Sequence, residues 1–413
     1  MKFSGSTMAY AMTISLVIAT MLGSILAVND HYRQILHGRY AEERAMENLR
    51  SGMAWLMSQN PAREETYAVE LFESTRDSFY ASAEDWGLLR LIHGEGVFAR
   101  FRERRSCLAG QSIAASPAAL IMNGVSQPLT VTGDTRIMGD AILGRTDIHS
   151  GRVGNRVYSG DQMVYGKIFQ SSTNSHPVIS ENAVEPLKNI LQNLPFPLPG
   201  VLQLKHIQAV QPWEGEGLEI VEKQSVVLDE VALSGKCRII SANQIVVSAT
   251  AELEHCLLFA RKIVIQKGFS GRVQAFATDT VEVEANVHLH YPSVVGVIKT
   301  DVTPVYMTLD TGAILEGELL FDPGETVIPR NADDYVLINP GSTVYGLVKI
   351  HHNLDLRGKV NGRVIAGNFL LKTPATVYFN YLMDAEINLG ELSPEFSGAI
   401  TDAGGWLKII EWL

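Results

Sequence analysis

Three stretches of this chain fall into line at 18-residue steps: NQIVVSATAEL from Asn243, RKIVIQKGFSG from Arg261 and DTVEVEANVHL from Asp279. Each reads as a strand, a short bend and a second short strand. An all-strand repeat of about 20 residues describes a solenoid, because one turn cannot bury its apolar side alone. Stacked turns can, each pairing its backbone with the next at about 4.8 Å. The pattern continues in DTGAILEGELLF from Asp310 and NPGSTVYGLVKI from Asn339, with Gly317 aligned to Gly346 and Leu319 to Val348, and then in LRGKVNGRVIAG from Leu356. Glycine suits the corners, where the backbone bends tightly or takes positive φ, and the aliphatic residues stack inside. No charged residue recurs, so the repeat encodes geometry rather than a ligand site. The expected body is mainly β, a right-handed parallel β-helix, with a β-sandwich as the alternative.

Residues 8–28, MAYAMTISLVIATMLGSILAV, carry no charge. About 20 apolar residues cross a bilayer core as a helix. The run is longer than the apolar region of a signal peptide and lacks a small-residue cleavage site, so a retained anchor contacting lipid is expected. Lys2 precedes it, while Arg33, Arg39 and Arg44 follow, which leans against export of the C-terminal side. The short stretch before the span and the bulk after it favour an extracytoplasmic body, in the periplasm or at the cell surface. The helix continues amphipathically through Leu36, Tyr40, Ala45, Leu49, Met53 and Leu56 and stops at SQNPA.

Lys2, Gly5, the small-residue-rich span and MENLRSGMAWLM from Met46 make this stem resemble those of type IV pilins and minor pilins. That resemblance implies protein partners or self-assembly through the stem, in a filament or secretion assembly. Tyr10 stands where pilins carry the glutamate five residues after the cleavage glycine. The body resembles β-helix envelope proteins, its glycine-punctuated turns being similar to those of bactofilins.

The organisation read from the sequence is an anchor and stem over 1–59, a small α+β connection over 60–125, a solenoid over 126–392 and a cap over 393–413. In the connection, TYAVELF, EDWGLLRLI and GVFARFR have the texture of strands. A helical, proline-rich insertion over 180–200 divides the solenoid into an early part, 126–176, and a main part from Val201. Trp406, Ile409, Ile410, Trp412 and Leu413 give the tail the character of a cap over an open end.

A net charge of −11 and a pI near 5.5 argue against nucleic acid as a partner. The arginines of ARFRERRS, from Ala99, read as a solvated face. Cys107, Cys237 and Cys256 are too few for a disulfide scaffold, and without a C-x-x-C pair they offer no structural zinc site. Cys237 and Cys256 stand close to one repeat apart, with Ile239 aligned to Leu258 and Ile240 to Phe259, so they are expected to be neighbours.

His288 and His290 share one face of a strand and can begin a metal site, with His351, His352 and Asp355 as the available partners. No spacing rule links the two groups, and a surface pair is the expectation. Asp333, Asp334, Glu282, Glu284 and Asp310 are the acids a polysaccharide-cleaving β-helix enzyme would need on one face. None falls in a catalytic motif. The expectation is therefore a non-catalytic structural or adhesive protein with no assigned catalytic, cofactor or metal residue. An anchored carbohydrate-active enzyme is the alternative, and polysaccharide a compatible ligand.

Overall fold

The computed structural model describes residues 5–59, 61, 65–72, 76–113, 118–122, 127–144, 147–170, 181–301, 303–322, 334–400 and 406–413. Lys2 and Asp333, named above, and the bounding positions 60, 126, 176 and 180 lie outside the described residues. The chain is mainly β with a long apolar N-terminal helix, and it divides into two compact units.

The first unit comprises residues 1–83 and 93–105. Its helix α1, Gly5–Gln59, runs without a break. Every side chain from Met8 to Val28 is exposed, and this is the one helix among the described residues long and apolar enough to cross a membrane. It is a candidate single span or signal sequence. Further along, Leu36 and Tyr40 are exposed, and the buried stripe begins only at Ala41, continuing through Ala45, Leu49, Met53 and Leu56. Spacings of four, four, four and three keep these residues on one side of the helix.

That stripe packs against strand residues with almost no intervening side chain. A methyl group on Gly52 would fall 2.0 Å from the Phe79 ring, and one on Gly96 2.2 Å from the Ala45 carbonyl oxygen. Asn48 is fully buried among them. Its amide donates to Asp77 Oδ1 at 3.0 Å and to the Val97 carbonyl at 2.7 Å, and Arg44 Nε donates to the same Asp77 oxygen at 2.8 Å. The MENLRSGMAWLM signature thus has a local physical cause: Asn48 satisfies a buried carboxylate and Gly52 makes room for Phe79. In the same unit Arg102 and Arg104 pair with Glu95. EDWGLLRLI and GVFARFR are not single strands, since turns at Gly87 and Ala99 split them between Asp77–Trp86, Leu89–Phe98 and Phe101–Ser112.

The second unit, residues 84–92 and 106–413, is dominated by one sheet system, 22 strands among the described residues and overwhelmingly parallel. The 18-residue step is its register: Ile245 pairs with Ile263, and Ile263 with Val281. Three inward columns result, with residues of similar shape stacked at the parallel-strand spacing of about 4.8 Å. One runs Val226, Ile245, Ile263, Val281, Met307, Val336 and Leu354, all fully buried. A second runs from Leu289 through Leu315, Val344 and Val360 to Ile387 and Ile137. The third runs from Ile220 through Ile239, Leu258, Ala275, Val295, Leu319, Val348 and Val364 to Leu120.

The last pairing shows how the early and main parts join. Strand Ala118–Met122 lies beside Lys359–Lys372, and Arg136–Met138 beside Glu386–Asn388, so the early strands extend the late end of the ladder. Helix α2, Glu181–Gln192, buries Ala183, Val184, Leu187 and Leu191 and packs beside the strands spanning Glu252–Ile298 in the middle of the stack. The chain then re-enters at the opposite end with Val201–Lys205, which pairs with Ser225–Asp229. The tail joins neither end of the ladder. Leu407–Trp412 pairs antiparallel with residues 107–111 of Phe101–Ser112, in a separate sheet.

A glycine column marks one corner. Gly317 pairs with Gly346 and Gly346 with Gly362, at φ of 147°, 147° and 159°. A Cβ on any of the three would sit 1.8–1.9 Å from the carbonyl oxygen of the rung before. The corner therefore needs glycine both for its backbone angle and for the close approach of successive rungs.

Candidate functional site

The most chemically loaded surface is built by this register. His288 and His290 lie either side of buried Leu289 on strand His288–Ile298, so both project outward. Leu289 pairs with Leu315, which puts Glu316 of the next rung level with His290, and Glu316 in turn pairs with Tyr345. His288 Nε2 lies 2.9 Å from Glu316 Oε1, and the two imidazole rings are 4.0 Å apart. Ser270, paired with His288 on the preceding rung, reaches His290 Nε2 with its hydroxyl at 2.8 Å. One nitrogen from each histidine and one oxygen of Glu316 lie within 4.8 Å of one another, and all three side chains are partly exposed. Burial, followed by the neighbouring His288, holds the His290 pKa below its ordinary value, favouring the neutral ring.

Glu316 also lines a groove of about 490 Å³ with Tyr291, Tyr345, Glu391, Glu395 and Phe396. Tyr291 is fixed there: its hydroxyl donates to the Ser397 carbonyl at 2.8 Å and its ring lies 5.3 Å from Phe396. Burial pushes its pKa up to about 12, so the phenol stays protonated. Glu395 is within 3.6 Å of Lys408. The groove thus offers aromatic faces and three carboxylates.

The other candidates are engaged elsewhere. His351 Nδ1 is 3.2 Å from the Phe321 carbonyl, and His352 is buried, which lowers its pKa. Asp355 is held by both arms of Arg357 and by the Tyr335 hydroxyl at 2.6 Å. Asp334 is buried against Lys299 at 2.9 Å, Glu282 pairs with Lys262 at 2.8 Å, and Glu284 accepts from the Lys267 amide. Asp310 accepts from the Thr311 amide and from Asn339. These acids serve ion pairs and turns, and the described ones do not gather into one site.

The partner that sequence reasoning missed is Glu316. Its signal was present: aligning VHLHY from Val287 with AILEG from Ala313 superposes the inward Leu289 and Leu315 and brings Glu316 to the histidines.

Cys237 and Cys256 are neighbours, for Ile239 pairs with Leu258 and Ile240 with Phe259, the alignment expected from the sequence. Both are free thiols and buried. Their proximity lowers the Cys237 pKa and raises that of Cys256, which burial raises further. Cys107 is buried too, which pushes its pKa to about 12 and makes it inert.

No protein-family model matches this sequence, and neither does any curated protein. Among solved structures, the chain is similar to the competence-associated pilin ComZ from Thermus thermophilus, with 10% identity over 91% of this chain and 96% of that one, at a TM-score of 0.24. It is similar to the ice-binding protein LeIBP from an Arctic yeast, with 16% identity over 66% and 91% and a TM-score of 0.20. An ice-binding protein from an Antarctic Flavobacteriaceae bacterium has 10% identity over 67% and 97%, with a TM-score of 0.12.

Proposed function

We propose that this is a non-catalytic, membrane-anchored envelope protein whose body is a β-solenoid outside the cytoplasmic membrane, acting as a structural or adhesive, minor-pilin-like subunit. The observation that carries this reading is the division of α1. Residues 8–28 expose an uncharged surface on every side, whereas the same helix from Ala41 onward buries one stripe in a folded unit. A helix apolar all round belongs in lipid or among other apolar helices, and one with a single stripe belongs on a globular core. The three inward columns and the glycine corner support the solenoid, since their register repeats rung after rung. Protease added to intact spheroplasts is expected to digest the body. Protection until the inner membrane is lysed would place it in the cytoplasm and overturn the reading.

A second reading, an anchored carbohydrate-active enzyme, draws on the groove, because Glu316, Glu391 and Glu395 beside Tyr345 have the composition of a sugar-cleaving cleft. It predicts release of reducing ends from an envelope polysaccharide, falling at least about a hundredfold in Glu391→Gln. No release from any polysaccharide of the native envelope counts against it.

A further inference from the structure

We propose that His288, His290 and Glu316 form a binding site for one divalent transition-metal ion of the zinc class. Three donors of the right chemistry converge on an exposed face from two adjacent rungs, all within 4.8 Å. A tetrahedral zinc ion at about 2.0–2.2 Å from nitrogen and oxygen sets its ligand atoms a little over 3 Å apart. The 2.9 Å between His288 and Glu316 is already near that spacing, and rotation of the rings closes the remainder.

The backbone beneath is fixed. Leu289 and Leu315 are fully buried and paired, which pins His288 and Glu316 on the ladder, while His290 stands within a strand where the register shifts between Leu289 and Ser293. The Ser270 hydroxyl at His290 Nε2 supplies the outer hydrogen bond that orients a metal-bound imidazole. Arg272, a cation whose charge reaches His290, is held by Glu254 at 2.8 Å and by the Tyr291 carbonyl at 3.0 Å. Two imidazoles and one carboxylate select zinc, cobalt or nickel over calcium and magnesium, which prefer all-oxygen shells. Three protein ligands on a partly exposed face leave a coordination position open, next to the groove that Glu316 shares. The ion would therefore hold an exchangeable ligand rather than a closed structural shell.

The test uses the full-length chain in detergent, stripped with a chelator, re-equilibrated with zinc chloride alone and assayed for bound metal. The expected result is about one zinc per chain at micromolar free metal, with cobalt giving the visible absorption of a low-coordinate site. Affinity should fall at least about tenfold in Glu316→Gln and binding should vanish in His288→Ala/His290→Ala. His149→Ala, on a distant exposed strand, should retain the wild-type stoichiometry. If the double variant does not fold, as judged by circular dichroism, the near-isosteric Glu316→Gln decides. Absence of zinc at about 100 µM free metal, or stoichiometry and affinity unchanged in the variants, overturns the proposal.

Discussion

Lys349→Met is expected to destabilise the β body by about 3–5 kcal/mol, the cost of leaving a buried charge without its partner. Lys349 Nζ lies 2.9 Å from Glu318 Oε2, and the two side chains are only 4% and 2% exposed. The other carboxylate oxygen accepts from the Ala399 amide at 2.5 Å, so the group cannot turn to another cation without abandoning that bond. Methionine fills the volume and removes the charge. Adding Glu318→Gln should recover most of the loss, since the glutamine oxygen still accepts from Ala399 and no net charge remains buried. Denaturant unfolding of the full-length protein in detergent, followed by fluorescence, compares both variants with the wild type. A Lys349→Met shift below about 1 kcal/mol would mean that water reaches the pair.

The second large effect is expected at Gly346→Ala. The added methyl would stand 1.9 Å from the Gly317 carbonyl oxygen and 2.9 Å from the Phe396 ring, at φ of 147°. Strain of about 1–3 kcal/mol from the backbone angle adds to about 1–3 kcal/mol from overpacking, and loss of the native stack is a realistic outcome. Gly268→Ala is the control. It also has positive φ, 83°, but its methyl would meet nothing nearer than Ala249 at 3.9 Å. Only the angle is then paid for, and the loss should stay near about 1–2 kcal/mol. Equal effects at the two glycines would show that the close approach of rungs contributes nothing.

The sequence showed the register where successive rungs have equal length. Asn243, Arg261 and Asp279 begin one rung each, and pairing of the inward residues keeps that step visible. Beyond Val281 the rungs lengthen, to Met307 and then Val336, so a fixed step loses the alignment. That is why Glu316, 28 residues from His288, escaped notice while His351 and His352 drew attention. The glycine column stayed legible across the change because only glycine satisfies that corner. The place of the early strands was not legible at all. Nothing local in AALIM from Ala118 says that its neighbour is Val364 rather than the next strand in sequence. The tail's partner strand was hidden for the same reason: an apolar segment reports that it will be covered, and not by which sheet.

The docking of Ala118–Met122 on residues 364–366 has a kinetic consequence. On a ribosome, which makes chain at about 5–20 residues per second, the early strands emerge well over ten seconds before their partner exists. They pair with one another, Ala118–Met122 with Asp140–Leu143, but their clasp to the main ladder must wait, and the contact order of the body is raised by a separation that loop-closure entropy penalises. Main-ladder rungs from Val201 onward can pair as they appear, while the edge that Ala118–Met122 offers to residues 364–366 waits unpaired. Until residues 359–388 arrive, the side that Ala118–Met122 turns toward that partner stays open, and closing it is a late clasp rather than a seed.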